Sequence, residues 1–392
     1  MNLTYEYRLF PRKAELKLLN TLLEQGREVY NAALAQAKTV YETRREHEGG
    51  IAQWDYFREW RKQPAILLNA SSLQHILRRL DKAYAAFFRR IKAGETPGHP
   101  RFKPAQRFNS LEYTYGDGCK LNYEEDYDRI NLYIQNVGEI KIKLHRLLPT
   151  GAVIKHLLIK RKNGKWYVYL MIEVPDPVFP EPNGLPVVGG DMGLLRLLTL
   201  SDGTKIDNPR WLREALDELR RAQRRLSRRK KGSQHRKAAA LLVAKLHEHI
   251  ANQRRDFWHK LTYWLVNTYG LVALEDLNLS FMTLNRHLSL SAHDAGLGAF
   301  QSLLRYKAVK AGGAVVLVNP AYTSQGCSGC GSLVEKDLSV RVHECPNCSL
   351  VLDRDENAAR NILSLAFKSA GTPPPDANVS HEAVRSLGSL AL

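Results

Sequence analysis

PVVGGDMGLLRLLTLSDGTKIDN, residues 186–208, holds three apolar runs separated by tight glycine turns. PVVGGDMG, LLRLLTLSDG and TKIDN read as three short strands, and the glycines let the backbone turn sharply or let a ligand come close. Asp191 ends the first of them. Working toward the C-terminus, residues 210–269 carry an almost unbroken helical signal. GLVALE (270–275) is a short buried strand, 294–311 is helical and AVVLVNP (314–320) is another strand. A cysteine-rich insert and a helix from about residue 356 close the pattern. The order β-β-β-α-β-α-β-insert-α predicts an α/β sheet with helices on its faces.

Upstream the pattern differs. Residues 2–9 alternate like a strand that Pro11 stops, and residues 13–46 and 66–92 place apolar side chains at helical spacing, with a loop at EHEGGIAQW between them. Residues 93–110 read as a linker. From 111 to 175 strands return as INLYIQ, EIKIKL, HLLIKRK and KWYVYLMIEV, and Asn163-Gly164 predicts a hairpin turn between the last two. The helices are therefore expected to interrupt a β domain after its first strand. PDPVFPEPNGLP (175–186) is proline-rich and marks the boundary to the second half. The Pro-, Ser- and Ala-rich residues 370–392 are expected to be a disordered tail.

The chain has 392 residues, 44% of them hydrophobic, and a formal net charge of +18. That excess points to a polyanionic partner, most simply nucleic acid. No apolar run reaches the roughly 20 residues needed to span a bilayer, so no membrane partner is expected. The N-terminus lacks the order of a signal peptide. Five cysteines in a chain of this length do not make a disulfide framework, and a reducing cytoplasm is expected.

Four of those cysteines form two matched pairs, Cys327-x-x-Cys330 and Cys345-x-x-Cys348, with 14 residues between them. This spacing fits a two-knuckle ribbon closing a tetrahedral structural Zn2+ site, with no open position for catalysis. Cys119 stands alone and receives no role. Three carboxylates are of a different kind. Asp191 and Glu275 end apolar strands, where each is either a turn or strand-end residue or a ligand. Asp355 sits near the first turn of the last helix, where it is either an N-cap or a ligand, and Asp353 competes for both roles. Brought to one end of the sheet, Asp191, Glu275 and Asp355 could not all stay charged without a counter-ion. Oxygen ligand sets select Mg2+ or Mn2+, and such ions can activate water and stabilise the leaving oxygen of a phosphodiester.

Together GGDMG, LEDLN and TSQGCSGCG…CPNC…DRDENAARNI resemble the RuvC-type nuclease of the transposon-encoded TnpB (OrfB) family. YEYRLFPRKAELKLLNTLLEQGREVYNAAL, GHPRFK and NGKWYVYLMIEV extend the resemblance over roughly residues 3–367. It implies an RNA-guided DNA endonuclease, of a family regarded as ancestral to type V CRISPR effectors. A guide RNA from the transposon end would pair with one strand of a double-stranded DNA target, beside a short target-adjacent motif read by the protein. One site would cut both strands. The implied layout is a wedge β-barrel (1–10 and 106–180), an inserted helical recognition domain (11–105), a RuvC-like, RNase H-like nuclease domain (181–320 and 352–369) and a zinc ribbon (321–351). It also implies a monomeric ribonucleoprotein in a bacterial or archaeal cytoplasm, associated with the nucleoid. The family motif Asp-x-Asn-Ala-Ala-x-Asn-Ile selects Asp355 over Asp353, because only Asp355 has a single residue between it and Asn357. All three acidic positions are intact, unlike those of nuclease-inactive, repressor-like relatives. A binding protein that never cuts and a structure-selective junction nuclease are the rival readings.

For nucleic-acid contacts, Arg221, Arg225, Arg228, Arg229 and Lys230 lie in a cationic stripe that is either a solvated face or a phosphate track. Arg101 and Lys103 flank Phe102, with Arg107 beside Phe108. Basic residues interleaved with aromatics suit RNA, and the same phenylalanines suit a core. Gln74 resembles a family position near the target-adjacent motif, and a glutamine can pair bidentately with adenine.

Overall fold

The alternation at the N-terminus becomes β1 (Asn2–Phe10), with Leu3, Tyr5, Tyr7 and Leu9 buried. The computed structural model describes residues 1–44, 46, 48–123, 130–176, 183–277, 284, 289–337 and 340–369. The proline-rich boundary falls partly outside the described residues and the 370–392 tail wholly so. The chain divides into two units, Met1–Asp176 and Pro177–Leu392.

In the first unit, β1 is followed by three helices, α1 (Lys13–Arg44), α2 (Trp54–Arg61) and α3 (Ala70–Lys92). Helix α1 buries one stripe that includes Leu19, Leu22, Val29 and Tyr30, as 3.6-residue spacing requires. Helix α3 starts at Asn69, whose side-chain oxygen accepts from the Ser72 amide at 2.8 Å. Six more strands follow: β2 (Ser110–Thr114), β3 (Cys119–Tyr123), β4 (Ile130–Ile134), β5 (Gly138–Lys143), β6 (Val153–Lys162) and β7 (Lys165–Glu173). They form one antiparallel, nearly closed barrel-like sheet in the order β2-β6-β7-β1-β5-β4-β3. Asn163 and Gly164, with φ of 50° and 77°, make the β6–β7 turn, as the Asn-Gly pair predicts. Strand β2 ends the sheet, and α3 covers its open edge. Ser71 Oγ accepts from the Thr114 amide at 2.7 Å, and Arg79 donates to the Ser110 carbonyl at 3.2 Å. An edge covered this way cannot pair with another chain.

The second unit opens with β8 (Val187–Asp191), β9 (Arg196–Leu200) and β10 (Lys205–Asp207). Where the sequence carries an almost unbroken helical signal over 210–269, the structure has three helices: α4 (Trp211–Glu214), α5 (Leu216–Ser227) and α6 (Gln234–Thr268). The α5–α6 break falls in a turn containing Gly232, with φ of 84°, before the cap Ser233, which accepts from the Arg236 amide at 3.1 Å. Arg236 also donates to the carbonyls of Leu226 and Arg229, so this arginine fastens the turn. Then come β11 (Leu271–Glu275), helices Ser289–Ala295 and Leu297–Lys310, β12 (Ala314–Val318) and the terminal helix Arg354–Ser369. The five-stranded sheet runs β10-β9-β8-β11-β12, with β8, β11 and β12 parallel and β9 antiparallel to both of its neighbours, β8 and β10.

Its two faces are covered differently. Val188, Val272 and Leu274 pack with Trp258, Leu265, Phe300 and Leu304 of α6 and helix Leu297–Lys310. Leu271, Ala273, Val316 and Val318 pack with Ile362, Ala366 and Phe367 of the terminal helix. Gly189 faces that helix. A Cβ there would lie 2.1 Å from the Ala359 carbonyl oxygen, so glycine is what lets the helix backbone lie against β8.

Candidate active site and metal centres

The two-residue period of a strand decides where the carboxylates point. Along β11, Leu271 and Ala273 face the terminal helix, so Glu275 takes the same side. Along β8, Gly189 faces that helix, so Asp191 does too. The strands are parallel neighbours with Gly190 opposite Leu274, which puts Asp191 and Glu275 at adjacent strand ends. Asp355 lies in the first turn of the helix covering this face. Burial pushes the Asp191 carboxyl up to about 8, the charges of Glu275 and Asp355 push the same way, and the Arg354 guanidinium opposes them. Residues far apart in sequence thus share one electrostatic site.

Each carboxylate is held separately. Glu275 is only 6% exposed. Burial raises its pKa, against a 2.5 Å hydrogen bond that its Oε1 accepts from the Thr323 hydroxyl. Asp355 has Arg354 at 3.4 Å and Arg341 at 3.8 Å. Asp353 is occupied elsewhere. Its Oδ1 accepts from the Asp355 amide at 2.9 Å, an N-cap contact, while Oδ2 meets Arg196 and Lys205, each at 2.8 Å. Burial works to raise its pKa, but those partners bring it down to about 2. So Asp353 caps the helix and leaves Asp355 free of that role.

Asp191 and Asp355 line a cavity of about 520 Å3 together with Arg196, Arg210, Arg213, Arg341 and Arg354. Glu275 is not among the lining residues. Arg210 has φ of 54°, a left-handed conformation that costs a side-chain-bearing residue about 1–3 kcal/mol and gathers at functional sites. Asp294, buried beside the cavity, accepts from the amides of Leu212 and Arg213 and so caps α4. Two carboxylates on a basic cleft, with Glu275 at the neighbouring strand end, are oxygen donors of the kind that Mg2+ or Mn2+ takes. Asp191, Glu275 and Asp355 are the residues that would hold them.

The four cysteines also meet. Cys327 and Cys348 have their sulfurs 3.6 Å apart, Cys330 and Cys345 3.5 Å, and all four lie within 4.8 Å of one another. Tetrahedral zinc with Zn–S of about 2.3 Å sets sulfurs about 3.8 Å apart, so the set fits zinc. Both knuckles turn alike, with Gly331 at φ 79° after the first and Ser349 at φ 59° after the second. A small ribbon, β13 (Val342–Glu344) and β14 (Val351–Asp353), runs two residues beyond the 351 boundary expected from sequence and passes directly into the terminal helix.

Sequence reading assigned no role to the residues that join these centres. Asn357, fully buried, accepts from the Ser328 amide at 2.9 Å and donates to the Gly326 carbonyl at 2.7 Å. Asn361, one turn on, donates to the carbonyls of Thr323 and Gly326. The two asparagines clamp the first knuckle to the helix that carries Asp355, and Thr323, held in the clamp, touches Glu275. Their four-residue spacing on one helix face was the available signal.

The suggested nucleic-acid residues fall in separate places. Arg221, Arg225, Arg228 and Arg229, with Arg224, line an exposed cavity of about 540 Å3 at the end of α5, and Lys230 is exposed beside them. In the first unit, Phe108 is buried at 3% exposure, whereas Phe102 is 50% exposed with Lys38 Nζ over its ring at 4.7 Å. Only Phe102 is thus available for stacking. Arg101 is exposed, while the Lys103 backbone is held by Asn31 and its ammonium lies over Tyr30. Gln74 is partly exposed on α3. Cys119 is buried, its thiol pushed up to about 12 by burial.

A family model described as "Probable transposase" (OrfB_IS605) matches residues 169–286, and a Cas12f1-like TNB domain model matches residues 298–362. A "Putative RNA-guided DNA endonuclease" of Streptomyces pristinaespiralis is 34% identical over 369 residues, 92% of this chain and 88% of the relative. InsQ of Escherichia coli (strain K12), named in the same terms, is 32% identical over 360 residues, 86% of this chain and 85% of its own. Among solved structures, the Cas12f1-sgRNA-target DNA complex matches with TM-score 0.61 at 16% identity, over 89% of this chain and 82% of that one. The mini-RNA-guided endonuclease CRISPR-Cas_phi3 matches with TM-score 0.59 at 10% identity over 92% of each. The fold class is thus a barrel-like β domain with inserted helices, followed by an RNase H-like α/β domain with an inserted cysteine ribbon. The chain belongs to the TnpB (OrfB) family.

Proposed function

We propose that this chain is an RNA-guided endonuclease that cleaves double-stranded DNA by divalent-metal-dependent phosphodiester hydrolysis. The guide is a transposon-end-derived RNA and the target carries an adjacent motif. The reading is carried by one observation: Asp191, Glu275 and Asp355 share one electrostatic site beside a cavity lined by five arginines. Relatives matched over 85% or more of their own length, and named as RNA-guided DNA endonucleases, support the choice of substrate.

Asp191, Glu275 and Asp355 would hold Mg2+ or Mn2+, which when bound supplies water activation and leaving-oxygen stabilisation. Arg210, Arg213, Arg341 and Arg354 orient the scissile phosphate by charge-assisted hydrogen bonds. The Thr323 hydroxyl fixes Glu275, and Asp353 keeps the first turn of the helix open for Asp355. The arginines at the end of α5 and Lys230 contact phosphates without reading sequence. Arg101, Lys103 and Phe102 contact RNA, and Gln74 contacts the target-adjacent motif. Zinc in the four cysteines keeps the ribbon folded. The working particle is a monomeric ribonucleoprotein acting on DNA in the cytoplasm.

The test is plasmid cleavage by protein co-expressed with its native transposon end, with Mg2+ present. Wild type linearises a plasmid carrying guide-matched target and motif, and Asp191→Ala does not. Equal survival of the plasmid with both proteins, with guide RNA verified in the particle, would leave a binding protein that does not cut.

A further inference from the structure

We propose that His75, Glu112 and His156 form a second transition-metal site, in the first unit, selective for a borderline divalent cation such as Zn2+. The three come from separate elements, α3, β2 and β6, and one donor atom of each lies within 4.8 Å of the others. No sequence spacing announces them.

Register brings them together. Thr114 lies opposite His156 across the β2–β6 pair, and Glu112 is two residues before Thr114, so Glu112, Thr114 and His156 share one face. The register shift at Lys155, between Ile154 and His156, sets which residues of β6 take that face. Helix α3 lies against it, fixed by Ser71 at one end and Arg79 at the other, with His75 midway at four-residue spacing. His75 Nδ1 stands 3.5 Å from Glu112 Oε1. Two ligands bound at about 2.0–2.1 Å to a tetrahedral zinc lie about 3.4 Å apart, so this pair already has ligand spacing. His75 Nε2 is 3.1 Å from Thr114 Oγ1. A proton on Nε2 then orients the ring and leaves Nδ1 as the donor, the outer-shell arrangement of metal-bound histidines. His156 supplies a further sign. Its Nδ1 is out of contact with solvent and has no hydrogen-bond partner, which is costly for a buried polar atom. Its ring packs edge-on to His75 with centroids 5.3 Å apart. Arg79, close to Glu112, is the competing cation, but its guanidinium donates to the Ser110 carbonyl. Two imidazoles and one carboxylate select zinc-like ions over Mg2+, with a fourth position for water. The bound ion would cross-link α3 to the strand edge it covers.

The test uses the full chain with zinc already in the four cysteines, titrated with Co2+, beside equilibrium dialysis against Zn2+. Wild type is expected to develop visible d–d bands without new sulfur-to-cobalt charge transfer, and to hold one more zinc equivalent than His156→Gln. Zinc should raise the melting temperature of wild type more than that of the variant. Equal stoichiometry and equal spectra in the two proteins would overturn the proposal. If His156→Gln does not fold by circular dichroism, the wild type decides: imidazole nitrogen and ring-carbon scattering in its cobalt X-ray absorption supports the site, and the absence of imidazole scattering overturns it.

Discussion

The four-cysteine knuckles and the three-carboxylate edge both gather groups that can bind cations, yet they are made in opposite ways. The thiols span 21 residues of chain and belong to two like turns closed on each other. The carboxylates span 164 residues, from Asp191 to Asp355, and meet only because a strand pleat, a parallel register and a glycine under a helix align them. The first set is four thiols with no other ligand type among them, two buried and two exposed. The second opens into a basic cleft where a phosphate can reach it. On the proposed reading, the difference separates a metal that would fold the ribbon from metals that would do the chemistry. The two centres touch through Thr323, Asn357 and Asn361, so the ribbon also sets the mouth of the cleft.

The sharpest way to break that pairing is to remove the local centre. Cys345→Ser should lose the ribbon's zinc, free the asparagine clamp and abolish plasmid cleavage, because structural zinc supplies folding energy of about 10–16 kcal/mol in isolated fingers. Zinc content by mass spectrometry and cleavage of the same preparation check it. Full cleavage by a zinc-free ribbon would separate the centres. Next in size is the contact between them. Thr323→Val should keep zinc but leave the Glu275 carboxylate without its donor, lowering the cleavage rate by roughly 10–100-fold, the usual effect of an outer-shell partner.

A smaller effect lies in pH. Asp191 has a folded pKa of about 8, above an unfolded value of about 3.9. A carboxyl raised by folding favours the folded state only while protonated, so metal-free stability falls as pH climbs from about 4 to about 8. Asp191→Asn should flatten that fall in melting temperature, and Mg2+ should restore the wild type at the alkaline end. A wild-type curve as flat as the variant's would refute the shared-charge account. Smallest is a repair inside the ribbon. Ser349→Gly relieves a left-handed residue at φ 59° and should raise stability by up to about 1 kcal/mol, seen as a higher melting temperature with unchanged zinc.

The same contrast explains what the sequence disclosed. Cysteine spacing, the Asn163-Gly164 turn, the alternation of β1 and the order of the second unit's strands are local signals, and they were legible. Helix α2 was not, because eight residues (WDYFREWR) are too short to show a period. SLEYT and CKLNY give no clear strand signal because each is five residues of mixed polarity. The break at Gly232 was hidden inside a run of arginines and lysines that all favour helix. At the site, Asp191, Glu275 and Asp355 were singled out by strand ends and family pattern. That Asp353 caps the helix depends on Arg196 and Lys205, which only the folded sheet brings near.

Manganese titration of the full chain by calorimetry, at a pH near or above 8, tests the shared carboxylate site most directly. The account predicts binding by wild type that weakens at least about tenfold in Asp191→Asn and in Glu275→Gln, with the ribbon's zinc retained in all three. Equal affinity in wild type and both variants would contradict it.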